Sequence, residues 1–107
     1  MKIIRNNIIP FKGFAAINLF GVLFIRKDVV VSKRMLNHER IHTEQMKELW
    51  YVGFYLLYIL MWFINLLKHP FGKWAYLNIA FEKEAYNNEV NPEYLIVRNK
   101  FAWLRSK

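Results

Sequence analysis

From Leu49 to Leu67 the chain reads LWYVGFYLLYILMWFINLL, nineteen consecutive positions without a charged side chain. On length alone such a run can cross a bilayer as a helix, which needs about 20 apolar residues. The remainder must therefore flank a membrane span, or else fold against this segment and hide part of it. Tyr51, Tyr55, Tyr58 and Trp62 carry polar tips that suit a thinly covered core helix or one lying in a membrane interface. Lys and Arg exceed Asp and Glu both before and after the run, so the positive-inside rule selects no orientation.

Composition narrows the setting. With 107 residues the chain is expected to form a single domain (1–107), and 55% hydrophobic with 18% aromatic residues excludes a disordered polymer. The net charge of +8 comes from Lys and Arg scattered from Lys2 to Lys107 without a long basic run. That distribution favours an anionic membrane surface, or plain solubility, as the counterpart; no nucleic-acid-binding motif is visible, and no nucleic-acid partner is expected. There is no cysteine, which excludes disulfides and thiolate metal sites. Any metal must be held by His, Asp or Glu. The opening MKIIRNNIIPFKGF lacks a compact apolar core and a small-residue cleavage site, so no signal peptide is expected. The expected location is cytoplasmic or peripheral to the inner face of the membrane.

Patterning predicts an α+β fold, with a small N-terminal antiparallel sheet or hairpin over residues 1–31 followed by three main helices. Ile3, Ile4, Ile8 and Ile9 precede Pro10; V22LFI25, R26KD28 and V29VV31 read as a hairpin with a charged loop. Ser32 is a plausible N-cap for a helix over 33–51. On that helix Met35, His38, Ile41, His42, Gln45, Met46, Leu49 and Val52 share one face, and Arg40, Thr43, Glu44 and Lys47 the other. An apolar helix over 53–67 ends in K68HPFGK73. A third helix over 74–89 places Glu82 with Ala75, Ile79, Ala85 and Tyr86, and Glu84 with the polar Lys83, Asn87 and Asn88. Residues 94–107 form a short helix or a tail.

The chemistry is concentrated in H38ERIH42, which holds two of the three histidines of the chain. Positions i and i+4 of a helix project side by side, so His38 and His42 can offer two imidazole nitrogens to one cation. Glu39 points to the edge of such a site, where its carboxylate can take a proton from an activated water and pass it to a leaving amine. Zinc supplies the remaining part by acidifying water and polarising a carbonyl. The competing account is two histidines of a helix surface or core, with Glu39 paired to a Lys or Arg.

A third ligand would decide between them. The segment E82KEAY86 resembles the downstream element of gluzincin-type zinc peptidases, Glu-x-x-Ala-Asp or Glu-x-x-Ala-Asn. The longer pieces N37HERIHTEQ45 and A75YLNIAFEKEAY86 are similar to those of a family of small bacterial metallopeptidase-like proteins. That resemblance implies Zn²⁺ held by His38, His42 and Glu82, a peptide or protein substrate, and Glu39 as general base. Tyr86 stands where Asp or Asn is usual; it implies either a hydroxyl that orients a metal histidine, a donor to the oxyanion, or an aromatic filling the apolar face. Glu84 is the rival third ligand, but it lacks an Ala three residues on. Gln45, one turn beyond His42, can bond a ligand or substrate or make a buried amide contact. His69 reads as a turn residue.

Convergence of these ligands constrains the apolar run in turn. A straight helix through Leu67 would put the turn near residue 70 about 42 Å beyond His42, and the return to Glu82 recovers only about 18 Å. A bend between Gln45 and Leu67, most simply near Gly53, is therefore required. A full crossing would separate His42 from Glu82 by the bilayer. The sequence thus reads as a zinc-dependent peptidase. Its rivals are a non-catalytic membrane-associated protein, single-pass or surface-bound, and a zinc-binding protein without turnover.

Overall fold

In the computed structural model, described here for residues 2–8, 16–69 and 71–105, three strands precede a helical remainder, an α+β arrangement. The strands are β1 (Lys2–Asn6), β2 (Ala16–Leu19) and β3 (Val22–Arg26). The helices are α1 (Lys33–Glu48), α2 (Val52–Lys68), α3 (Gly72–Leu77), α4 (Ala80–Asn88) and α5 (Tyr94–Val97), with a 3₁₀ turn over Ala102–Arg105. The sequence features at Pro10 and Pro70, and the end of the 94–107 segment, lie outside the described residues.

The sheet is mixed, not purely antiparallel. β3 is central, antiparallel to β2 with Leu19 opposite Val22, and parallel to β1 with Ile4 opposite Phe24. The hairpin lies one turn earlier than the pattern suggests: its two-residue loop is Phe20-Gly21, both at positive φ (52° and 85°), as a tight hairpin requires. Val29–Val31 is not a strand, because β3 already has a partner on each side. Leu23 and Ile25 alternate inward and are fully buried. Tyr55 of α2 pins the hairpin tip by accepting from Phe20 N–H (2.9 Å) and donating to the Asn18 carbonyl (3.1 Å).

Ser32 caps α1, its Oγ accepting from Met35 N–H at 3.1 Å. Helix α1 stops at Leu49, and α2 leaves it at 109°. The bend is not made by Gly53, which lies inside α2. Trp50 adopts left-handed φ (57°), and Tyr51 N–H reaches back to Met46 C=O (2.7 Å), closing a Schellman-type end. Tyr51, at φ 60° and ψ −61°, then forms a γ-turn in which Val52 N–H bonds Trp50 C=O (2.6 Å). Among the described residues no single helix is long and apolar enough to cross a membrane.

The third helix is two helices. Ile79 is extended (ψ 130°) between α3 and α4, which lets both Ile79 and Phe81 turn inward although they are two positions apart. They join Met46, Phe54 and Trp103 in the main buried cluster. Two placements on the helical wheels are also corrected. Thr43 is buried, held by Asn18 Nδ2 at 3.0 Å. Glu84 is 1% exposed instead of solvated, because Tyr94 and Arg98 cover that side of α4.

Candidate metal centre

Each candidate ligand is delivered by an element with its own reason to be there. His38 and His42 are one turn apart on α1, and Glu82 sits in the first turn of α4, which packs across α1. The three side chains are buried and their ligand atoms converge: His38 Nε2 to Glu82 Oε1 3.2 Å, His42 Nε2 to Glu82 Oε1 3.0 Å, and His42 Nε2 to His38 Nε2 3.1 Å. Ligand atoms held tetrahedrally at zinc distances of 2.0–2.1 Å lie roughly 3.3 Å from one another. The donor set therefore fits a small divalent cation. Without one, both Nε2–H groups can donate to Glu82 Oε1, but the two imidazole nitrogens, 3.1 Å apart, then face each other with no acceptor between them. This His38–His42–Glu82 group can hold a metal ion, and it is the one such group among the described residues.

The surroundings fix each ligand. Gln45 Oε1 accepts from His42 Nδ1–H at 2.7 Å, which leaves the His42 Nε2 lone pair facing the centre. The Gln45 amide is itself held, its Nε2 donating to Phe81 C=O and to Glu84 Oε1, both at 3.0 Å. Tyr58 of α2 donates to Glu82 Oε2 at 2.7 Å, so Oε1 is the oxygen turned to the histidines. Behind His38 lies buried Glu89, with Oε2 at 3.6 Å from Nδ1. Asn37 aligns that carboxylate by donating to the Asn88, Glu89 and Asn91 carbonyls at the end of α4.

Electrostatics follow from burial and proximity. Burial opposes charge on His42, but the hydrogen bond and charge of Glu82, then Glu39 and Gln45, outweigh it and raise its pKa to about 9. Glu82, which burial alone would raise, is held well below the usual carboxylate range by His38, His42 and Tyr58. Glu39 is raised, chiefly by burial, with His42 and His38 only partly offsetting it. A carboxylate in that state is suited to take up a proton and release it again. Burial and the charge of Glu82 push the Tyr58 and Tyr76 phenols up, so both remain hydrogen-bond donors.

The centre opens into a cavity of about 570 Å³ whose walls include Ile17, Glu39, Met46, Phe54, Tyr58 and Tyr76. Strand β2, at the edge of the sheet, forms one rim, and Asn18 ties it to α1 by donating to the Glu39 carbonyl at 3.1 Å. Tyr86 lies against His38 edge to face (centroids 4.6 Å apart), with its hydroxyl paired to that of Tyr76 at 2.9 Å. Glu84 lies outside the converging group, its oxygens taken by Gln45, Tyr94 and Arg98. His69 caps the C-terminal end of α2 in extended conformation and stacks on Trp74.

Sequence reasoning named the three converging groups and missed most of their supports. Asn37 and Gln45 carried a signal, standing at the two ends of N37HERIHTEQ45. Tyr58, Glu89 and Arg98 carried none, because their roles depend on tertiary contacts from α2, the end of α4 and the chain beyond it. Compared with family models, curated proteins and solved structures, the chain gives no match, and the functional reading rests on the geometry of its own residues.

Proposed function

We propose that the chain is a zinc-dependent peptidase. The observation that carries this reading is the convergence of His38, His42 and Glu82 beside a cavity into which Glu39 also faces. Two imidazoles and one carboxylate form a donor set suited to zinc. When bound, zinc would acidify a water and polarise the scissile carbonyl.

The remaining work falls to the protein. Glu39 accepts the proton of the attacking water and returns it to the departing amine, a task matched to its raised pKa. Gln45 and Tyr58 hold two of the ligands in register. The outer edge of β2 pairs with an extended substrate backbone, and the largely apolar cavity takes an apolar side chain. Tyr76, on the cavity wall, and Tyr86, paired with it, supply phenolic donors next to the reacting carbonyl.

The test combines metal content with turnover. Purified protein should contain one zinc per chain, and His42→Ala should lose it. Glu39→Gln should retain zinc while peptide hydrolysis falls by about 10²–10⁴-fold. Zinc-loaded Glu39→Gln hydrolysing peptides at the unmodified rate would remove the mechanism.

A further inference from the structure

Helix α2 is inverted relative to an ordinary amphipathic helix. Its polar tips face inward: Tyr58 bonds Glu82, Tyr55 bonds the hairpin, and Asn65 donates to Ala75 C=O. Its outward side is an unbroken apolar stripe of Val52, Leu56, Ile59, Leu60, Phe63 and Leu67, all exposed and spaced at three and four residues. Phe54 is its one buried residue. Trp50, in the turn before α2, and Phe71, beyond its end, are exposed as well. A patch this long and continuous goes beyond the scattered apolar exposure of soluble proteins.

We infer that this stripe docks in the interface of an anionic lipid bilayer, with α2 lying in the membrane plane. Charge selects the occupant. Between Glu48 and Glu82 the chain carries Lys68 and Lys73, both exposed, and no acidic residue. A second copy packed on the same face would bring these lysines no acidic residue from the segment. Anionic headgroups bordering the buried stripe supply the missing counter-charge, and the net charge of +8 adds attraction at longer range. At 17 residues, α2 is not among helices long and apolar enough to cross a membrane, but it suffices to lie in the interface. The cavity borders the opposite side of α2 at Phe54, Tyr55 and Tyr58, so docking holds it about one helix diameter, roughly 10 Å, above the lipid.

The test is co-sedimentation of the purified protein, with and without added zinc, with phosphatidylcholine vesicles made with or without phosphatidylglycerol. Unmodified protein should sediment with the anionic vesicles and be released by salt. Leu56→Glu/Phe63→Glu, which alters only exposed positions, should keep its helical circular dichroism and zinc content and lose vesicle binding. Lys68→Gln and Lys73→Gln should each weaken binding about fivefold. No binding by unmodified protein, or equal binding by the Leu56→Glu/Phe63→Glu variant, would overturn the inference. A dimer abolished by that variant, in protein that ignores vesicles, would assign the face to a second copy instead. None of these readings depends on turnover, so loss of the peptidase reading and loss of this one are separable.

Discussion

Gln45 shows how one side chain can decide whether a histidine is a ligand. By accepting from His42 Nδ1–H it selects the tautomer whose Nε2 lone pair is free, and its own amide group is immobilised by Phe81 and Glu84. Gln45→Ala should therefore lower zinc affinity by about 10–100-fold with the fold intact, as measured by competition with a chelator. His42 gives a second prediction through its proton. In metal-free protein its pKa is raised from 6.5 to about 9, so the folded state binds that proton more tightly than the unfolded chain. The resulting stability is fully present below pH 6.5 and is lost as pH rises through about 9. Thermal melts of metal-free protein should show the melting temperature falling across that window. Zinc affinity should move the opposite way, rising with pH because the metal must displace the proton. At this scale the sequence was most informative. Helical spacing of His38 and His42 is local, and the Glu-x-x-Ala pattern marked Glu82, whereas Tyr58 and Glu89 reach the site only through the packing of distant segments.

The turn between α1 and α2 is the element on which the site depends, for it brings Tyr58 back over Glu82. It is also locally strained. Trp50 occupies the C′ position at φ 57°, where glycine is usual, and a non-glycine residue there costs about 1–2 kcal/mol. The residue is 86% exposed, so little packing offsets the cost. Trp50→Gly should raise the melting temperature of the protein by about 4–8 °C, the shift expected for about 1 kcal/mol in a domain of this size. A fall in melting temperature would show that the indole supports the turn by some other contact. Sequence reasoning required a bend between Gln45 and Leu67, near Gly53, and the bend lies there; its geometry comes from two aromatic residues, Trp50 and Tyr51, held in unusual backbone conformations by the Met46 and Trp50 carbonyls, and not from the glycine. The hairpin was misplaced for a related reason. A charged R26KD28 is a more conspicuous loop signal than Phe20-Gly21, but register follows the buried Leu23 and Ile25, and these needed partners on both sides. The split of the third helix is legible only once Ile79 and Phe81 are known to share a core.

Across the whole molecule, three separate helices must dock before the centre exists: α1 gives the imidazoles, α4 the carboxylate, and α2 the phenol that orients it. Arg98 is the cross-tie for two of them. It forms a two-pronged pair with Glu48 of α1 (3.0 and 2.9 Å) and also bonds Glu84 of α4, all three side chains being nearly buried. Removing a buried guanidinium leaves two carboxylates without their counter-charge, and breaking such a group costs about 3–5 kcal/mol. Arg98→Ala should therefore be destabilised by that amount in denaturant titrations. Because Glu84 anchors Gln45, and Gln45 anchors His42, the loss should extend to the metal centre 's affinity as well. Zinc in turn should oppose it, since a ligand that binds only the folded state at about 100 times its dissociation constant adds about 2.7 kcal/mol. Adding zinc should thus restore part of the stability of Arg98→Ala and none of that of a variant also carrying His42→Ala. If zinc shifted the double variant as much as the single one, its stabilising effect would not come from the His38–His42–Glu82 centre.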